Sequence, residues 1–480
     1  MEALKQRTIR GGLAKLVGQG ITFALRLLYI VVMARLLSPS EFGLVAMVTV
    51  VTGIYDLFRD GGLSAAAIQQ ATITEEQKST LFWVNMLIGA ILTLLCLLTA
   101  PILIRFYQEP RLFGVTAAIS VGFLFGAAGA QYAAMLHRDL RYVTLAAIDV
   151  FSVIVNTAAA ITMAATGWGY WSIVVPSVGV TIFNTVVMWL VVGWKPGWPR
   201  RNAGVMAMLK FGGTTSLNRL VVYVAYNLDK VLLGRFWGAD ALGLYSRAYQ
   251  LINIPTTQLN DAIGGVAFSA LSRLQNDSAQ YKNYFLKGYS LVVALTAPIT
   301  LFSAAFADDI IRVVMGPRWE AAATIFRLLT PTVLFFGLVN PLAWFLMSSG
   351  LQQRSLNIAL VLAPICVVSY LAGLPYGPNG VAAAFSIALS LWLLPHMLWC
   401  IKGTGITLTD LLEAIWPPVS SAIVATIAAI AVGALVGHAE SALLRFALNG
   451  SVMAATYSGM LLVVMGQKTF YLNLISQLRT

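Results

Sequence analysis

The sequence predicts an all-α integral membrane protein of about fourteen transmembrane helices, and three observations carry that prediction. Of 480 residues, 59% are hydrophobic and only 10% charged, where a soluble domain has about 25%. The mean hydropathy is +0.80. Apolar runs long enough to cross a hydrocarbon core of roughly 30 Å recur along the whole chain, separated by short polar breaks. Finally, the basic residues sort themselves by side of the membrane.

The breaks delimit the runs in order. The first, 15–37, follows a basic N-terminal stretch and stops at Ser38-Pro39; the second, 41–58, is cut short by Arg59-Asp60-Gly61-Gly62. Runs 80–104 and 112–136 flank the polar stretch from Arg105 to Arg111, and 143–165 begins after Arg141. The sixth, 169–193, opens on an aromatic cluster of Trp168, Tyr170 and Trp171, read as an interfacial belt, and ends before Lys195-Pro196. Runs 205–236 and 240–271 are long and polar. Beyond them lie 283–306, 320–348, 355–374, 378–401, 411–436 and 443–466. The first run holds an arginine and no clear A-x-A site ends it, so it reads as a retained span rather than a cleaved signal.

With the N-terminus inside, 19 basic residues face the cytoplasm, among them Lys15, Arg59, Arg138, Lys195, Arg273 and Lys402. Seven face out: Arg35, Arg105, Arg111, Arg235, Arg312, Arg318 and Arg445. The positive-inside rule therefore orients the chain with both termini cytoplasmic, which demands an even number of spans. The net charge of +12 is thus first a topology signal, and no nucleic-acid partner is expected. Cys96, Cys366 and Cys400 lie far apart in apolar runs, without disulfide or metal spacing, and read as buried inert thiols.

The chain also repeats itself. RLLSPSEFGL (35–44) aligns with RFWGADALGL (235–244), IRFYQEPR (104–111) with IRVVMGPR (311–318), and GWGYWS (167–172) with GPNGVA (377–382). The offset drifts from 200 to 210, as small loop insertions produce. A six-span unit returns the chain to its starting side, so the copies share one orientation about a pseudo-twofold axis along the membrane normal. Three segments are expected: 1–200 as an N-lobe of spans 1–6, 201–404 as a C-lobe of spans 7–12, and 405–480 as two additional helices. Two like bundles around a midplane cleft is the architecture of an alternating-access transporter.

ALRLLYIVVMARLLSPSEFGLVAMV, followed by RDGGLSAAAIQQ, resembles the polysaccharide-transporter branch of the multidrug/oligosaccharidyl-lipid/polysaccharide exporters. Within that branch the whole chain is similar to Wzx-type flippases of exopolysaccharide, colanic-acid or O-antigen repeat units. The resemblance implies transfer of an undecaprenyl-pyrophosphate-linked oligosaccharide across the bacterial cytoplasmic (inner) membrane. It also implies partners: membrane lipid, a polysaccharide polymerase and a chain-length regulator.

Five basic residues fall within spans: Arg26, Arg219, Lys230, Arg247 and Arg327. A charge at mid-bilayer costs at least about 2.5–3.5 kcal/mol, so it needs a partner, a water-filled cavity or a ligand. Arginine suits phosphates because its planar fork binds two oxygens and stays protonated when buried. Arg26, Arg219 and Arg247 are therefore the expected substrate-binding cations, with Arg59 at the inner end of the second span assisting capture. The resemblance supports Arg26 and Arg247 best, since family members carry arginines in the first and eighth helices. The plainer readings pair Arg26 with Asp56 or Asp149 as a structural ion pair and let Arg247 snorkel to the outer interface. Arg327 reads as structural or interfacial.

Asp229 and Lys230 are adjacent, about 100° apart on a helix, and cannot face the same neighbour. An intramembrane carboxylate suits a coupling proton or sodium ion, and related exporters use a carboxylate of the seventh helix, so Asp229 is the coupling-ion candidate. Asn218, Tyr223 and Asn227 make that span the most polar and mark it as cavity-lining. No metal centre or cofactor is expected beyond a coupling Na+ or H+.

Two alternatives stand beside the flippase. A membrane enzyme of polysaccharide assembly needs catalytic groups, but His137, His396 and His438 are scattered and no H-E-x-x-H or nucleophile elbow occurs. A cation-coupled multidrug exporter of the same fold would need an acidic cavity, whereas the spans here hold Arg26, Arg219, Arg247 and Arg327. No Walker A sequence is present, which leaves an ion gradient or the membrane potential as the energy source.

Overall fold

A computed structural model describes residues 2–59, 73–200, 206–275, 277–436, 441–469 and 471; the side chains of 2–17, 206–219, 221, 261, 262, 266 and 436 lie outside the description, as does most of the RDGGLSAAAIQQ segment. Among the described residues there is no strand. The helices are α1 (Glu2–Leu36), α2 (Pro39–Arg59), α3 (Glu75–Tyr107), α4 (Leu112–Arg138), α5 (Tyr142–Ala165) and α6 (Trp171–Val192). A continuous stretch Met206–Arg273 is broken at Gly238, whose φ of 82° and ψ of −176° are not helical; it divides into α7 (206–237) and α8 (239–273). There follow α9 (Ser278–Ala305), the short α10 (Ala307–Val314), α11 (Glu320–Ser348), α12 (Gln352–Gly373), α13 (Gly377–Ile401), α14 (Leu408–Val436) and α15 (Ala442–Gly459).

Each predicted apolar run is helical, and most helices overrun it by several residues. By length and apolarity, eleven described stretches can cross a membrane, and one of them, Gln352–Ile401, holds both α12 and α13. No part of Met206–Arg273 is among them within the described residues.

Local chemistry sets the ends. α3 starts at a capping box: Thr74 accepts from the Gln77 backbone N–H while the Gln77 side chain accepts from that of Thr74. α6 stops at Gly193, whose φ of 66° places it in the left-handed region that glycine occupies without steric cost. The segment behind it is strapped onto the start of α3. Gly197 N–H donates to Ser79 Oγ at 3.0 Å, Trp83 Nε1 donates to the Gly197 carbonyl at 2.9 Å, and Trp198 stacks on Trp83.

The helices gather into two compact units, Met1–Gly243 and Leu244–Thr480. In the first, α4 packs against α3, α6 and α2, while α1 lies on α5 and α5 on α6. Small residues permit the close crossings: a Cβ on Gly89 of α3 would come within 2.5 Å of the Ala127 Cβ on α4. In the second unit α9 and α11 pack on each other, α14 covers α9, and α13 covers α11 and α12. Its core includes Phe285, Tyr289 and Phe345, with the two phenylalanine rings 4.9 Å apart.

The short α10 was not foreseen from the sequence. It is amphipathic, burying Ile310 and Ile311, and its aspartates anchor two arginines. Arg445 of α15 pairs with Asp309 at 2.6 Å, both side chains largely shielded, and Arg327 of α11 pairs with Asp308 and donates to the Ala304 carbonyl at 3.2 Å. Arg327 thus does structural duty beside the α9–α10 junction.

Candidate functional site

The polar residues of α7 form a connected ladder. Tyr223 donates through its hydroxyl to the Val50 carbonyl of α2 at 2.8 Å. Asn227 Nδ2 donates to the Tyr223 carbonyl at 2.9 Å, and Lys230 Nζ donates to Asn227 Oδ1 at 2.7 Å. Asp229, on the adjoining face, is wholly buried at 0% exposure and accepts from the Lys230 backbone N–H at 2.7 Å. The neighbours divide as adjacent helical positions must: the carboxylate turns into the protein and the ammonium stays half-exposed. Asn218 and Arg219 lie on this helix, but their side chains are outside the described residues.

What brings α7 so near α2 is glycine. A Cβ on Gly53 would lie 2.0 Å from the Tyr223 hydroxyl, and one on Gly43 only 1.7 Å from the Ala239 carbonyl oxygen. A Cβ on Gly243 would lie 1.8 Å from the Pro39 carbonyl oxygen. The repeat aligns Gly43 with Gly243 and Pro39 with residue 239. Gly43 thus meets the residue aligned with Pro39, and Gly243 meets Pro39 itself, so the two contacts are reciprocal. Both glycines lie within the aligned repeat segments, but no one-dimensional signal shows that they approach each other's backbones.

The arginines are distributed differently. Arg26 sits on an exposed position of α1 and makes no ion pair among the described residues. Asp56, offered as its structural partner, instead pairs with Arg59 at 2.8 Å, one turn along α2. Arg59 is half-buried, its stem lying over Gly126 of α4, where a Cβ would meet the Arg59 Cδ at 3.2 Å. Arg247, half-buried in α8, donates to the Gln250 side chain. Arg26, Arg59 and Asp229 belong to the first compact unit and Arg247 to the second.

A small recess lies within the second unit, between α8, α9 and α11, and most of the surface it exposes is apolar. Thr256, Asn260, Thr296, Gly337, Asn340 and Trp344 are among its walls. Among the described residues, no group of three or more His, Cys, Asp or Glu side chains could hold a metal ion.

Helices of these lengths, two compact units and intramembrane cations define a multi-pass membrane protein with a transporter fold. The same fold is present in the lipid II flippase MurJ in its inward closed conformation, with a TM-score of 0.75 and 16% identity, covering 97% of this chain and all of that one. It recurs in an inward-facing multidrug resistance MATE family transporter of the MOP superfamily, with a TM-score of 0.62 and 12% identity over 82% of this chain and 96% of that one. At residues 32–324 the sequence matches the model of the polysaccharide biosynthesis protein family, and the chain belongs to that family. Among curated relatives, the teichuronic acid biosynthesis protein TuaB of Bacillus subtilis is 30% identical over 61% of this chain, and the match spans 61% of TuaB's length. The lipopolysaccharide biosynthesis protein WzxC of Escherichia coli is 24% identical over 72% of this chain and 71% of its own. The succinoglycan biosynthesis transport protein ExoT of Rhizobium meliloti is 22% identical over 68% and 65%.

Proposed function

We propose that the protein flips a polyprenyl-pyrophosphate-linked oligosaccharide repeat unit across the bacterial inner membrane, with both termini cytoplasmic. The observation that carries this reading is Arg26: a guanidinium within a membrane-spanning run, accessible, and without an ion pair among the described residues. A cation held there at a cost of a few kcal/mol fits a cargo that brings phosphate into the membrane. Membership of a polysaccharide biosynthesis family supplies the glycan.

In this mechanism, the segments 1–200 and 201–404 act as lobes that alternate about the cleft, and 405–480 adds two helices outside the repeat. Arg26, Arg219 and Arg247 receive the pyrophosphate at successive depths, and Arg59 assists capture at the cytoplasmic end. Asn218, Tyr223 and Asn227 line the path. Asp229, the wholly buried carboxylate of α7, takes the coupling proton or sodium ion. A polymerase and a chain-length regulator work with the product on the periplasmic side. The chemistry is translocation, with no covalent step.

The test is transfer of a fluorescently labelled undecaprenyl-pyrophosphate oligosaccharide in proteoliposomes, read as label protected from a membrane-impermeant quencher. Wild type is expected to move label faster under an imposed proton or sodium gradient. Asp229→Asn is expected to lose the gradient dependence while keeping slow exchange. No transfer by folded wild-type protein under either gradient would overturn the substrate class and favour the multidrug exporter.

A further inference from the structure

The stretch that leads from the first repeat into the second is docked along the start of α3. Residues 193–200 form no helix, yet their backbone groups find partners one after another. The Tyr132 hydroxyl of α4 donates to the Trp194 carbonyl at 3.2 Å, and Trp83 Nε1 donates to the Gly197 carbonyl. The Gly197 and Arg200 N–H groups donate to Ser79 Oγ and Thr80 Oγ1 at 3.0 and 3.1 Å. Trp194 Nε1 adds a bond to Glu75 at 3.0 Å, and its ring meets Phe82 and Tyr132 edge-on.

Burial, proline and aromatic stacking hold this strap down. Ser79 and Thr80 are 6% and 7% exposed, so their bonds to it are shielded from water. Pro196 and Pro199 stiffen the undocked chain and bring no N–H that needs a partner, so docking forfeits little freedom. Trp198 lays one face on Trp83, the two rings 7° from parallel. The ion pair of Arg200 with Glu76 contributes least, since both side chains are more than half exposed and solvent screens them.

We infer that residues 194–200 are a fixed anchor: they stay docked on α3 throughout the transport cycle, and Arg200 is where the chain leaves the first repeat. The inference rests on the alternating-access reading proposed above. Its consequence is one of length. Six links separate Arg200 from Met206 at the start of α7, a span of at most about 20–22 Å however those links are arranged. Undocked, the fourteen links from Val192 would reach about 46–50 Å. The anchor more than halves how far the start of α7 can part from that of α3, and so keeps the two ends at high effective concentration for closing again.

The geometry supplies the test. A Cβ on Gly197 would lie 4.0 Å from the Ser79 Cβ, within the roughly 3.5–4.5 Å that a disulfide requires, and the native cysteines are buried. In the full-length Ser79→Cys/Gly197→Cys protein in proteoliposomes, oxidation is expected to close the bridge to completion, read as loss of both maleimide-reactive thiols. The bridged protein is expected to transfer labelled undecaprenyl-pyrophosphate oligosaccharide within about twofold of the reduced rate. Hydrogen exchange at Gly197 and Arg200 of wild type is expected to stay slow with and without an imposed proton gradient. Ser79→Ala/Trp83→Leu, which undocks the strap, is expected to speed that exchange at least about tenfold and to slow transfer at least about fivefold.

Transfer halted by oxidation and restored by a reductant would overturn the inference, because the strap would then have to peel away in each cycle. Fast exchange at Gly197 and Arg200 in wild type would do the same. So would undiminished transfer by folded Ser79→Ala/Trp83→Leu whose exchange has risen. Absence of transfer by wild type counts against the flippase reading alone, since exchange and bridge formation decide the strap without cargo.

Discussion

Replacing Arg26 with alanine is expected to reduce flipping of a pyrophosphate-linked oligosaccharide in proteoliposomes by ten- to a hundredfold while leaving the protein at least as stable as wild type. The two outcomes come from one source. A charge-assisted hydrogen bond to phosphate contributes about 1.5–3 kcal/mol, which sets the size of the transport loss. The same guanidinium has no ion pair among the described residues, so its removal breaks no salt bridge and relieves the cost of a charge inside the membrane. A structural arginine behaves the opposite way, since deleting it lowers the melting temperature first and activity only through folding. Arg26→Lys separates charge from geometry: it is expected to retain part of the activity, because the ammonium attracts phosphate but cannot bind two of its oxygens in plane. Undiminished flipping by folded Arg26→Ala would return the residue to a passive role and leave Arg219 and Arg247 as the cations to test.

The second large effect concerns the crossing of α2 with the α7–α8 junction. Gly43→Ala is expected to destabilise the protein by at least about 1–3 kcal/mol, the range for overpacking a close contact. The Cβ would meet a backbone oxygen at 1.7 Å, and backbone cannot swing aside as a flexible side chain can. Gly243→Ala should behave alike, its Cβ falling 1.8 Å from the Pro39 carbonyl oxygen. The double substitution is expected to cost less than the two singles combined, because the first already parts the helices. Gly20→Ala is the control: nothing lies within 4 Å of its Cβ, and exchanging glycine for alanine in a helix favours the helix by up to about 1 kcal/mol. Thermal unfolding in detergent reads all four. Equal melting temperatures for Gly43→Ala and Gly20→Ala would show that the crossing is looser than its geometry implies.

Much of the fold was legible because a bilayer restricts the solutions. An apolar run such as 80–104 has to be helical, since every backbone polar group in hydrocarbon must be satisfied within its own segment. The turn positions were legible for a similar reason: Gly193 at φ of 66° and Gly238 at φ of 82° sit where the apolar periodicity stops. α10 was not, because eight residues bearing two aspartates and an arginine read as loop until Ile310 and Ile311 find a surface to bury against. The ion pair of Asp56 with Arg59 was passed over for a more distant pairing with Arg26, although i, i+3 neighbours on a helix meet by default.

The sequence by itself determined a multi-pass helical membrane protein, its internal repeat and the cations that its spans retain, because hydropathy, spacing and the expense of buried charge are local properties. Only the tertiary structure decided which polar groups are engaged. The reciprocal contacts of Gly43 and Gly243 and the burial of Asp229 against the partial exposure of Lys230 depend on residues about 200 positions apart coming within a few ångströms. No one-dimensional pattern encodes such a distance, since it is set by how closely small residues let whole helices approach.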